Sequence, residues 1–117
     1  MVRQNIIVDK TFKFALQIVE TYKTLVELKH EFVLSKQLLR SGTSIGANVN
    51  EATEAQSKAD FISKMSIALK EARETSYWIK LLHESKYLQN DNNLLEDNIE
   101  IIRIITSIVK STKANLH

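Results

Sequence analysis

Proline is absent from this chain of 117 residues, and glycine occurs only twice, at Gly42 and Gly46. A sheet protein needs many turns and draws on both residues to make them, so this pattern calls for helices joined by very short connections. The length suits one domain, which can bury about 65% of the surface its unfolded chain exposes and needs no covalent staple. The absence of cysteine removes disulfides and thiolate metal sites from consideration.

Hydrophobic spacing then divides the chain into four helices, predicted at 6–28, 32–56, 58–85 and 93–113. In the first, Phe12, Ala15, Val19, Tyr22 and Val26 alternate steps of three and four and should form the inward face. A short turn at Lys29–Glu31 sends the second helix back antiparallel. There Leu34, Leu38, Ile45, Val49 and Ala52 keep one phase across both glycines, which predicts one continuous helix although each glycine costs about 1 kcal/mol relative to alanine. Ser57-Lys58-Ala59-Asp60 has the form of a capping box opening the third helix. Its stripe of Phe61, Met65, Ala68, Ala72, Thr75, Ile79 and Leu82 has the seam spacing of helices packed near 20°. The polar run Gln89–Asn93 is the strongest loop signal and should supply the cap of the fourth helix. That helix carries Leu95, Ile99, Ile102, Ile105 and Val109 as its inward stripe, with Ile101, Ile104 and Ile108 beside it. An apolar arc that wide predicts a central place in the bundle or a face buried against another subunit. The expected fold is all-α, an antiparallel up-down-up-down four-helix bundle.

The apolar run near the N-terminus is too short for a signal peptide, and no uncharged stretch approaches membrane-spanning length, so a cytoplasmic protein with no membrane partner is expected. Net charge is +2 and the pI about 8.9, only slightly polarised along the chain.

The segment Arg40–Asn48 is the most unusual in the chain. A phosphate loop would need Lys-Ser or Lys-Thr after the glycines and a strand before them, and a hydrolase elbow would need Gly-x-Ser-x-Gly; neither is present. Ser41, Gly42, Ser44, Gly46 and Ala47 are therefore assigned to close helix packing. The acids Glu51 and Glu54, and Glu71 and Glu74, form pairs spaced by three, which invites comparison with di-iron bundles. Those need repeated Glu-x-x-His; Glu27–His30 is a single copy at a helix end, and His83 has no acid three residues before it. The four acids are expected to be solvated or ion-paired, and Glu51 and Glu54, where buried, would need Arg40 or a lysine of the next helix as partner. No metal, cofactor or catalytic group is assembled from these residues. Trp78 should edge the core or reach a subunit contact, the second role shared with Ile101, Ile104 and Ile108. Lys29, Lys36 and Arg40 on the second helix, with Arg73 and Lys80 one heptad apart on the third, make an ordinary solvated face or a phosphate-binding stripe that a ring of subunits would multiply.

Ser35–Val49 with Glu51-Ala52, Ser57–Phe61, and Ala68–Ala72 with Glu74-Thr75 and Tyr77-Trp78 resemble the bacterial four-helix bundle family encoded in intervening sequences of large-subunit ribosomal RNA genes. The accessory variability protein of diversity-generating retroelements is similar in fold. Related chains commonly read Ser-Ile-Pro where Ser44-Ile45-Gly46 stands here. The resemblance covers nearly the whole chain. It implies a four-helix bundle that assembles as a homopentameric ring and has no known catalytic residue. The similarity to the retroelement protein suggests binding to RNA or DNA, and to a partner protein such as a reverse transcriptase, through a basic surface. Lys29, Lys36, Arg40, Arg73 and Lys80 are the residues expected to meet phosphates. The competing expectation is a protein–protein scaffold with no nucleic-acid role, motivated by the wide apolar arc of the fourth helix.

Overall fold

The computed structural model describes residues 2–89 and 93–115, with side chains from residue 5 onward. Four helices follow one another: α1 (Val2–Glu27), α2 (Leu34–Thr53), α3 (Lys58–Glu84) and α4 (Leu94–Ala114). Each packs on the next, and α4 closes back onto α1, while the diagonal pairs do not meet. The result is an antiparallel rod of 50 × 21 × 20 Å. α2 runs unbroken through Gly42 and Gly46 but is shorter at both ends than its apolar pattern suggests.

Its start is set by a side chain two residues before the helix cap. Glu31 is buried, and its carboxylate accepts from the backbone N–H groups of Val33 (3.2 Å), Leu34 (3.0 Å) and Ser35 (2.6 Å). The Ser35 hydroxyl donates back to the Glu31 carbonyl at 2.7 Å. Amides that would otherwise be orphaned at the helix start are thereby satisfied. Burial works against the ionised carboxyl, but the hydrogen bonds from Leu34, Ser35 and Val33 outweigh it and hold Glu31 below its ordinary pKa. The chain reaches this position through His30, whose φ of 55° is left-handed. At the other hairpin Lys86 does the same with φ 72°, and the Tyr87 N–H closes the end of α3 onto the Leu82 carbonyl at 2.9 Å. α3 begins as its sequence indicates, with Ser57 Oγ accepting from the Asp60 N–H at 3.0 Å. Asn93 stands before α4 without a side-chain cap; Asn90–Asn92 lie outside the described residues.

The predicted stripes of α2 and α3 are the buried ones, save that Leu34 and Phe61 are only partly covered. That of α1 is not, and that of α4 is buried only at Ile105 and Val109. α1 buries Ile7, Thr11, Phe14, Ile18 and Leu25, leaving Phe12 59% exposed. The inward face was disguised by Thr11, which reads as polar yet donates its hydroxyl to the Ile7 carbonyl at 2.8 Å and so enters the core satisfied. α4 buries Leu94, Asn98, Ile101, Ile105, Ile108 and Val109, and Ile99 turns outward. Again a polar residue holds a seam position: Asn98 Nδ2 donates to the Ala72 carbonyl (2.7 Å) and to Ser76 Oγ (2.8 Å) across the α3–α4 contact.

The small residues of α2 divide between two neighbours. Gly46 lies under the backbone of α1, where an added Cβ would sit 3.3 Å from the Thr11 carbonyl oxygen; at Gly42 it would meet the Ile18 side chain at 2.7 Å. Ser41 faces α3 instead and accepts from the Thr75 hydroxyl at 2.9 Å. Ser44 is half-buried and bonds back to the Arg40 carbonyl, and Ala47 is exposed, so neither belongs to a close helix contact.

Candidate nucleic-acid interface

Helical geometry turns the outward residues of α3 and α4 into two adjacent stripes. On α3 the exposed positions Ser66, Lys70, Arg73, Tyr77 and Lys80 recur at steps of four and three. Arg73 and Lys80 stand three before and four after Ser76, the residue bonded to Asn98, which puts them on the α4 side of α3. On α4 the exposed positions Ile99, Arg103, Thr106, Lys110 and Lys113 follow the same steps. The other flank of α4 is occupied by α1, through Lys10–Glu100 (3.1 Å) and Gln17–Asp97 (3.2 Å).

This α3–α4 face therefore presents Lys70, Arg73, Lys80, Arg103, Lys110 and Lys113, none of which makes an ion pair among the described residues. The exposed acids bordering it, Glu84 and Glu96, both lie at the end where α3 finishes and α4 begins. Several cations elsewhere are matched: Lys13 by Asp9 (3.1 Å), Lys23 by Glu20 (3.9 Å) and Lys64 by Glu51 (3.9 Å). Arg40 pairs with Glu71 at 3.3 Å and with Glu74, whose Oε2 also accepts from Trp78 Nε1 at 2.9 Å. Exposed pairs of this kind add little stability, but they cancel charge that a phosphate would otherwise meet.

The five cations singled out from sequence are thus not one stripe. Arg73 and Lys80 join the α3–α4 face. Lys29 lies in the α1–α2 turn, with Lys36 on the first turns of α2, both without an ion pair among the described residues. Arg40 is already paired with two carboxylates, which cancel charge that a phosphate would otherwise meet. Lys70, Arg103, Lys110 and Lys113 were missed, although a signal existed: after Glu100 the chain contains no further acid. Of the proposed subunit-contact residues, Ile101 and Ile108 are buried inside their own chain and are unavailable to a second one; Ile104 and Trp78 remain half-exposed. Glu51 and Glu54 are exposed, and Glu71 and Glu74 are partly covered by Arg40. No group of three or more His, Cys, Asp or Glu among the described residues could hold a metal ion, and no helix is long and apolar enough to cross a membrane.

A sequence profile described as 23S rRNA-intervening sequence protein matches residues 3–107. The chain belongs to that family. This intervening-sequence protein is also similar to a crystal structure from Bacteroides thetaiotaomicron, described as a protein with unknown function from the S23 ribosomal protein family. The two are 51% identical, with a TM-score of 0.91 over 92% of this chain and 98% of that one. No curated protein matches.

Proposed function

We propose that this intervening-sequence protein is a non-catalytic, cytoplasmic, homo-oligomeric module that binds the phosphate backbone of RNA or DNA, free or in a ribonucleoprotein. The observation that carries this reading is the α3–α4 face, where Lys70, Arg73, Lys80, Arg103, Lys110 and Lys113 make no ion pair among the described residues while the lysines of α1 and Arg40 of α2 are matched by acids. Cations spread along two helices suit backbone tracking, which positions a nucleic acid without reading its sequence. Anisotropy of a labelled duplex tests it through two double reversals of equal charge. Arg73→Glu with Lys110→Glu should weaken binding by tenfold or more, and Lys13→Glu with Lys23→Glu by far less. Equal losses would mean that only net charge matters and would remove the face.

Self-assembly is supported by apolar surface that one chain leaves uncovered. Beyond the α2 contact of Thr11 and Ile18, α1 presents Phe12 and Leu16 (59% and 53% exposed), flanked by half-buried Val8, Ala15 and Val19. On the other side of α2, α3 presents exposed Ile67 with half-buried Trp78 and Leu81. Two different patches favour head-to-tail contact, which closes into a ring such as the pentamer the family resemblance implies, over a two-fold pair. Light scattering should give a multimer for the native chain and a smaller species for Leu16→Glu. A protein–protein scaffold is the second reading, and the α1 stripe is its observation, since the α4 arc is largely covered within the chain. A multimer that leaves Phe12 and Leu16 accessible to labelling would favour it.

A further inference from the structure

The two most exposed large apolar residues among the described residues, Leu28 (73%) and Val33 (71%), lie in the α1–α2 turn together with exposed Phe32 (52%). Such residues usually sit on a mobile tip, but this turn is held from inside. Glu31 fixes three successive amides of the following helix, its own N–H donates to the Leu25 carbonyl at 2.9 Å, and His30 takes the left-handed conformation that reverses the chain. The amides at the start of α2 are already occupied by that carboxylate, so the turn offers no anion site of the helix-terminus kind. What it offers is two exposed rings, His30 and Phe32, with centroids 6.4 Å apart and planes inclined at 43°, bracketed by Lys29 and Lys36, which form no ion pair among the described residues. The one exposed acid in residues 27–36 is Glu27.

We propose that this turn is a stacking platform for unpaired bases, with His30 and Phe32 receiving base faces while Lys29 and Lys36 meet the adjoining phosphates. Rings alternating with unmatched cations on a rigid frame are the chemistry by which single-stranded segments are held, because every base has a π face and no sequence need be read. The proposal rests on the nucleic-acid reading and adds to it a preference for loops, bulges or ends over continuous duplex.

The test is anisotropy of the native chain with three probes of equal length: a single-stranded RNA, its abasic backbone, and a duplex. The single strand should bind more tightly than the abasic strand. Phe32→Leu, which keeps an exposed apolar side chain and loses the ring, should weaken single-strand binding by about tenfold and leave duplex binding unchanged; Phe32→Trp should restore it. His30→Gly, which preserves the left-handed backbone, should also weaken the single strand. Circular dichroism confirms that each variant is folded. Equal affinity for intact and abasic strands, or an unaltered Phe32→Leu, overturns the platform and leaves the turn to a protein pocket. If Phe32→Leu responds while the Arg73 and Lys110 reversal does not, the platform stands and the α3–α4 face falls.

Discussion

The two hairpins of this bundle meet their own partners in opposite ways. α2 approaches α1 by removing side chains, at Gly42 and Gly46, until backbone and core side chains touch. α4 approaches α3 with a buried amide, Asn98, that spans to a carbonyl and a hydroxyl. Their outer faces differ as well: α1 matches its lysines with acids and exposes Phe12 and Leu16, whereas the face shared by α3 and α4 carries cations without ion pairs among the described residues. The hairpin with the closest backbone contact carries the apolar stripe of Phe12 and Leu16, and the hairpin with the polar seam carries the cation-lined α3–α4 face. Seam and surface are set by different residues of the same helices, so each can be altered alone.

The largest effect should come from filling the glycine seam. Gly46→Leu forces a side chain against the backbone of Thr11, which cannot rotate away, and should destabilise the fold by about 3 kcal/mol. Denaturant melts would show this as a lower midpoint with no change in slope, and an unshifted midpoint would mean that α1 does not lie so close. On the polar seam, Asn98→Ala should cost about 2 kcal/mol, from two lost hydrogen bonds and the space left behind. Neither change touches the outer faces, so folded fractions of both variants should keep native affinity for nucleic acid.

The same two seams explain what could be read in advance. α2 and α3 were legible because nearly every seam position is apolar or small, and the glycines announced a close contact without a break. α1 as a whole and the first half of α4, up to Ile102, are out of phase because Thr11 and Asn98 occupy seam positions, and a pattern of apolar residues skips them. The stripe of Phe12, Ala15 and Val19 is real periodicity on a face the chain itself does not bury. In the same way Lys29, Lys36, Arg40, Arg73 and Lys80 are singled out by charge and by spacing within a helix. Which cations are cancelled depends on acids of another helix, as Glu71 and Glu74 are for Arg40, and spacing within one helix does not carry that information.

The smallest effect distinguishes the turns. The α1–α2 turn is pinned by a buried carboxylate and the α3–α4 turn by backbone closure around Lys86. Because the folded state holds Glu31 below its ordinary pKa, its contribution is complete above the unfolded value, about 4.3, and is lost as pH falls through the folded value. Glu31→Gln should therefore lower stability by about 1 kcal/mol at neutral pH, and its melting temperature should converge with the native one in acid. A gap that stays constant with pH would contradict the cap.

The central claim is that the α3–α4 face meets phosphates, and the most direct measurement is the dependence of duplex affinity on salt concentration. Each phosphate contact contributes about 0.9 to the slope of log K against log salt for duplex DNA. For Arg73→Glu with Lys110→Glu the slope should fall by about 2 relative to the native chain. A slope that is unchanged by this pair, with affinity intact, would contradict the account.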